Sequence, residues 1–295
     1  MTTTMKPIRS FLFVPGNKAS WIEKSVASQA DALILDLEDS VPPAQKVEAR
    51  EIVKSKLAWL AEMKQRTWVR INRSPHLYDF DDILAVVGPH LEGIVVSKPI
   101  GPEDVDTVSA MLSEAEYRCG VTVGATRVVP LLETARALQF AYEIALRERV
   151  PAIVGATAKN ADVARALDTV WSAEGRETQY LKSRVVMAAR AAGKLPIGGV
   201  WQQVHDLEGL RTAAERDRAL GMSGELLLHP SNVPAVNAVY SPSPEQIMFY
   251  EGMIVALEKA QAQGRASTVY DGEHIDIAHV KTARDMIALA RSFQA

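Results

Sequence analysis

The chain has 295 residues, 47% hydrophobic and 23% charged, a balance that excludes a disordered chain and allows a large apolar core. Its single cysteine, Cys119, excludes an intrachain disulfide framework and a cysteine-built zinc site. A formal charge of −3 and a pI of about 6.1 offer no electrostatic basis for binding nucleic acid. No apolar run reaches the ~20 residues that span a bilayer, and residues 1–7 lack the apolar stretch of a secretory signal, so a cytoplasmic protein without membrane attachment is expected.

In chain order, short and almost continuously apolar runs alternate with longer amphipathic stretches. The spacing predicts a strand over 11–14 and a helix over 19–28, then a strand over 32–37 and a helix over 43–61. Strand 67–71 precedes helix 79–87, strand 93–96 precedes helix 102–117, and strand 127–131 precedes helix 134–146. Strand 152–154 leads into two helical pieces, 162–167 and 178–192; strand 197–200 leads into helix 207–220, and strand 225–228 into helix 244–263. Strands this short without polar alternation suit burial on both faces. Eight strands alternating with eight helical segments is the count of a (β/α)8 TIM barrel, expected over residues 1–264. A doubly wound sheet is the competing architecture, but the turn after the first strand reads Pro15-Gly16-Asn17-Lys18 and lacks the Gly-x-Gly-x-x-Gly of a dinucleotide loop. Residues 265–295 then supply a polar connector, 265–272, and an amphipathic helix, 279–293, expected to pack outside the barrel or on a neighbouring subunit.

Active sites of such barrels lie at the C-terminal ends of the strands. The residues just past those ends are Asp36, Glu38 and Asp39 after strand two, Arg70 and Asn72 after strand three, and Lys98 after strand four. Glu133 follows strand five, the Gly155–Asp162 loop follows strand six, Gln202 and Gln203 follow strand seven, and His229 follows strand eight. Clustered carboxylates without thiols or paired histidines favour a hard cation, Mg²⁺ or Mn²⁺, over zinc. A divalent ion would relieve the repulsion between Glu133 and Asp162. Arg70 is suited to a two-pronged grip on a small carboxylate, and metal with arginine would polarise an adjacent carbonyl and stabilise an enolate.

Each residue taken singly also has a structural explanation. Glu133 suits a first-turn carboxylate at a helix N-terminus, and Asp162 suits a cap on the helix after strand six. Arg70 suits a buried ion pair with Asp36 or Glu38, and His229 before Pro230 a structural hydrogen bond. Convergence on one rim is what favours chemistry.

The stretches Arg9-Ser-Phe-Leu-Phe-Val-Pro-Gly16 and Leu33-Ile-Leu-Asp-Leu-Glu-Asp-Ser-Val-Pro-Pro43, with Lys46, Ala49 and Arg50, resemble the opening of the citrate lyase β-subunit-like proteins of the HpcH/HpaI aldolase superfamily. The resemblance continues through Val69-Arg70-Ile-Asn72, Lys98-Pro99, Pro130-Leu-Leu-Glu133-Thr134, the 221–230 run ending His229-Pro230, and Asp271-Gly-Glu-His-Ile-Asp276. It implies a (β/α)8 barrel assembled as a homotrimer or homohexamer. It also implies a Mg²⁺-dependent carbon–carbon lyase, or the reverse condensing enzyme, acting on a CoA thioester of citryl, malyl or citramalyl type and releasing a small oxo acid. Carried over by position, Glu133 and Asp162 hold the metal, and Arg70 binds the oxo acid and supports the enolate. The Gly155-Ala156 turn borders the substrate, and Asp276 reaches a neighbouring subunit's site as an acid/base. From the residues alone Asp276 is a loop capping residue.

Two departures stand out. The relatives place the second metal aspartate sooner after the strand-six glycine, in a Gly-x-x-Asp-Leu pattern. Here a longer loop carrying Lys159 intervenes, which puts a positive charge near the expected cation. Glu225 stands where relatives often carry lysine. A CoA-independent aldolase on hydroxy-oxo acids and a non-catalytic complex subunit therefore stay open as alternatives.

Overall fold

Runs of β-branched and leucine residues form the parallel strands that the pattern predicts, within a computed structural model that describes residues 5–293. In order come β1 (Ser10–Pro15), α1 (Ala19–Ser25), β2 (Ala32–Asp36), α2 (Lys46–Glu62), β3 (Thr67–Arg70), α3 (Phe80–Val86), β4 (Gly93–Val96), α4 (Pro102–Arg118) and β5 (Arg127–Pro130). Then follow α5 (Ala135–Gln139), α6 (Ala141–Ala145), β6 (Ala152–Val154), α7 (Asp162–Leu167), α8 (Gln179–Ala191), β7 (Leu195–Ile197), α9 (Leu207–Leu220), β8 (Glu225–Leu227) and α10 (Val233–Tyr240). The result is an α/β fold. Six strands form one parallel sheet in the order β5-β4-β3-β2-β1-β8, and β6 pairs with β7 in a second. Single residue pairs, Leu131 with Val154 and Gly198 with Glu225, run between the edges of the two sheets.

Every one of β1–β8 sends at least one side chain into a single apolar cluster, from Phe11 of β1 through Trp68 of β3 to Leu226 of β8. Phe11 meets Trp68 edge-on at 5.8 Å between ring centroids, a geometry aromatic pairs favour. Side-chain caps start several helices: Asp79 accepts from the amide of Asp82, Thr134 from that of Ala137, and Asp206 from that of Gly209. The registers matter for function. Pro15 lies opposite Asp36 and Asp36 opposite Arg70, so the C-terminal ends of β1, β2 and β3 finish level and their polar residues emerge side by side.

Four differences from the predicted elements stand out. The seventh strand begins two residues early, at Leu195, and stops at Ile197 because Gly198 and Gly199 offer little strand propensity. The predicted helix over 134–146 is interrupted at Phe140, and α10 fills a stretch that the periodicity left unassigned. Where a connector is expected over 265–272, the chain instead forms an antiparallel hairpin of β9 (Thr268–Tyr270) and β10 (Glu273–Ile275). Its turn residues Asp271 and Gly272 both have positive φ, 48° and 80°. Asp-Gly between alternating residues is the sequence signal for such a turn.

The chain divides into two compact units between Val236 and Asn237, whereas the boundary expected from sequence falls after residue 264. In the second unit α11 (Pro244–Ala262), the hairpin and α12 (Ile277–Ser292) share a cluster of Met253, Leu257, Ile275, Val280 and Ala283. Among the described residues no helix is long and apolar enough to cross a membrane.

Candidate active site

The level ends of β2 and β3 place Asp36 directly beside Arg70. Both are buried, and the Arg70 Nε and Nη2 each donate to one Asp36 carboxylate oxygen at 2.6 Å. Nη1 lies 3.1 Å from Glu38 Oε2, and the guanidinium rests on the Phe13 ring at 4.7 Å. The amides of Glu38 and Ser40 donate to the two Asp36 oxygens, closing the turn that carries Glu38 and Asp39. Burial pushes the Asp36 carboxyl up, but the hydrogen bonds and charge of Arg70 outweigh it and hold the group below its ordinary value. The two-pronged grip expected on a substrate is thus spent on Asp36. Arg70 contributes a fixed, permanent positive charge.

Glu133 precedes the Thr134 cap of α5 and is therefore not a first-turn carboxylate. It is half-buried, and desolvation raises its carboxyl to about 7 against the pull of Arg70 and Lys98. One oxygen accepts from the Lys98 amide at 3.0 Å. Asp162 opens α7 but makes no capping hydrogen bond. Its oxygens face cations instead, Arg165 on one and Lys98 Nζ at 4.0 Å on the other. Glu133, Asp162, Arg70, Ala156, Phe13 and Gln202 share the wall of one cavity of about 300 Å³.

Four of the five residues expected in this half of the chain line that cavity: Arg70, Glu133, Ala156 and Asp162. Gly155 does not. A Cβ there would meet the Val185 side chain at 2.8 Å, so the glycine serves the approach of β6 to α8. Asp276 caps α12 in the second unit, accepting from the Ala278 amide at 2.9 Å and pairing with His279 Nδ1 at 2.8 Å. That pairing holds its carboxyl below the ordinary value. Lys159, expected near the cation, lies over the Trp171 ring at 5.8 Å instead. Glu225 is buried at the start of β8 and lines a second cavity of about 300 Å³ with Trp171, Trp201, Lys182 and Asp217.

Several motif residues serve the scaffold. Asn72 donates through its amide and Nδ2 to Asp82, Arg50 pairs with the same Asp82, and Lys46 Nζ donates to the carbonyls of Leu37 and Glu38. His229 Nδ1 hydrogen-bonds Ser231, the structural reading. The residue that sequence reasoning undervalued is Lys98. Its ammonium lies 2.7 Å from Glu38 Oε1 and 2.8 Å from Asp39 Oδ2. A lone lysine following strand four among acidic strand ends was the available signal.

Residues 9–230 match the HpcH/HpaI aldolase/citrate lyase family. The chain is similar to a (3S)-malyl-CoA thioesterase of Cereibacter sphaeroides, with 31% identity over 98% of this chain and 96% of the relative. It is also similar to an L-malyl-CoA/beta-methylmalyl-CoA lyase of Cereibacter sphaeroides, with 32% identity over the same shares. Among solved structures it resembles the CitE protein of Mycobacterium tuberculosis in complex with magnesium, acetoacetate and coenzyme A. That likeness has a TM-score of 0.77 and 25% identity, covering 97% of this chain and 98% of the other. A match of this extent, with the strand-end carboxylates and arginine gathered on one cavity, makes the chain a member of the HpcH/HpaI aldolase/citrate lyase family.

Proposed function

We propose that the chain is a Mg²⁺-dependent carbon–carbon lyase, or its condensing reverse, acting on a hydroxyacyl-CoA thioester of malyl, citramalyl or citryl type. The observation that carries this reading is the cavity shared by Arg70, Glu133 and Asp162. The lyase relative and the magnesium and coenzyme A bound by the CitE protein support the choice of chemistry. Closure of β1–β8 into a complete (β/α)8 barrel belongs to the same reading. It is supported by the apolar cluster fed by all eight strands and by the Leu131–Val154 and Gly198–Glu225 pairs.

The donor set fits a hard divalent ion. Among the described residues no group of three or more His, Cys, Asp or Glu side chains is placed to hold a metal. Two carboxylates suffice for Mg²⁺, which keeps water and substrate oxygens in its octahedral shell. Desolvation raises the Glu133 carboxyl despite Arg70 and Lys98, so a bound cation would favour its ionised form. Held by Glu133 and Asp162, the ion would supply Lewis-acid polarisation of the oxo-acid carbonyl.

The chain's own groups account for the rest. In cleavage the substrate hydroxyl gives its proton to Asp276, supplied by a neighbouring subunit of a trimer or hexamer. The bond between the carbinol carbon and the α-carbon of the thioester breaks, its electron pair becoming the enolate of the acyl thioester, and the oxo acid departs. Arg70, held rigid by Asp36 and Phe13, stabilises the developing negative charge without reorganising.

The test is turnover of malyl-, citramalyl- and citryl-CoA before and after EDTA treatment. Loss of activity with chelator and recovery with Mg²⁺ is expected; undiminished turnover without metal overturns the proposal. Hydrolysis is the second reading, carried by the comparable similarity to the malyl-CoA thioesterase. Release of free CoA and the hydroxy acid, in place of an acyl-CoA and an oxo acid, identifies it.

A further inference from the structure

One residue meets four carboxylates at this rim: Glu38, Asp39, Glu133 and Asp162. Lys98 follows β4 in the left-handed region, with φ of 51°, a conformation a non-glycine residue keeps only when its surroundings hold it there. Three anchors do so. Its amide donates to Glu133, its carbonyl accepts from Arg73, and its ammonium lies between Glu38 and Asp39. The ammonium also reaches within 4.0 Å of Asp162 Oδ2. The same backbone turn therefore seats one carboxylate proposed to hold the metal and aims a positive charge at the other.

Charge counting makes the position consequential. Glu38, Asp39, Glu133 and Asp162 crowd this rim, while the two strongest hydrogen bonds of Arg70 are committed to Asp36. Lys98 shares Glu38 with Arg70 Nη1, holds Asp39 at hydrogen-bond distance, and faces the Asp162 oxygen that Arg165 leaves free. We propose that Lys98 is a positioning residue that acts as a built-in counter-cation. It steadies the acidic rim before metal arrives and, by repulsion, weakens the hold on Mg²⁺ until an anionic oxo acid adds its own negative charge. The inference rests on the proposed metal site at Glu133 and Asp162.

Lysine's charge sits on a flexible stem, so the ammonium can draw back from Asp162 as an ion enters while keeping Glu38 and Asp39, without displacing the Glu133 hydrogen bond made by its backbone. Two like charges a few ångströms apart repel measurably even at the dielectric of a wet protein surface. Removing one should tighten binding of the other.

The experiment is isothermal titration of Mg²⁺ into the full-length wild type and into Lys98→Gln, Lys98→Met and Lys98→Arg, with and without oxaloacetate. The neutral variants should bind Mg²⁺ alone about tenfold tighter or more than the wild type. Their gain from added oxaloacetate should shrink, and Lys98→Arg should keep wild-type behaviour. Loss of a merely structural lysine would loosen the site, so unchanged or weaker Mg²⁺ binding by the neutral variants overturns the inference while leaving the metal site intact. Lys98→Met keeps the aliphatic stem and serves if Lys98→Gln does not fold. Failure of the wild type and all variants to bind Mg²⁺, even with oxaloacetate, overturns the metal site itself and this inference with it.

Discussion

Substituting Asp36→Asn tests the scaffold on which the proposed mechanism stands. The carboxylate accepts four hydrogen bonds: two from Arg70 at 2.6 Å and one each from the amides of Glu38 at 2.9 Å and Ser40 at 3.1 Å. Asparagine offers one acceptor oxygen and turns its NH₂ toward two donors, whichever way the amide is flipped. Two buried donors lose their partner, and the Arg70 charge loses its main counter-charge. Breaking a buried pair from one side costs about 3–5 kcal/mol. For a unit of this size that corresponds to a fall in Tm on the order of 10 °C. The pH dependence carries its own sign. The carboxyl is held below its ordinary value of 3.8, so its contribution is complete above 3.8 and disappears as the pH falls through the lower folded value. The melting gap between wild type and Asp36→Asn should therefore be constant from neutral pH down to about 5 and close below 3.8. Turnover should fall with the loss of Arg70 orientation. Calorimetric melting across that range is the assay. A gap of under 3 °C, or one that persists at the acid end, would show that the Asp36–Arg70 pair does not stabilise the rim as argued.

Three further expectations follow from the same geometry. Ionised Glu133 burdens the metal-free fold as the pH rises from 4.5 through about 7, so with EDTA present Glu133→Gln should melt above the wild type at pH 8, by up to about 3 kcal/mol. The same variant should lose the melting shift that Mg²⁺ produces. Asp276→Asn should lower kcat by roughly 10²–10⁴ with little change in Tm; co-expression with Glu133→Gln should recover part of the activity if Asp276 serves a neighbouring subunit, and none if it acts within its own. Gly155→Ala forces a methyl against Val185 at 2.8 Å and should cost about 1–3 kcal/mol by urea unfolding while leaving KM nearly unchanged.

Alternation of short apolar runs with amphipathic ones placed seven of the eight strands within two residues at either end, because a strand buried on both faces leaves a dense hydrophobic signature. The seventh slipped because Gly198 and Gly199 carry no propensity and the pairing with β6 extends back over Leu195 and Pro196. The list of residues past the strand ends already contained Arg70, Lys98, Glu133 and Asp162, since in this architecture strand ends and active-site rim coincide. Their assignments were less legible. Arg70 read both as a substrate clamp and as a buried partner of Asp36 or Glu38, and its fork closes on Asp36; Gly155 read as substrate-facing, yet it accommodates Val185.

Residue order thus carries the architecture and the reservoir of polar groups, because secondary structure follows periodicities set by near neighbours. It does not carry the pairing of charges. Lys159 is three residues from Asp162 along the chain but lies on Trp171, whereas Lys98, more than sixty residues away, faces that carboxylate at 4.0 Å. Coulomb attraction falls with distance in space, and that distance is set by the packing of β4 beside β5, of Leu131 beside Val154 of β6, and by the backbone turn at Lys98.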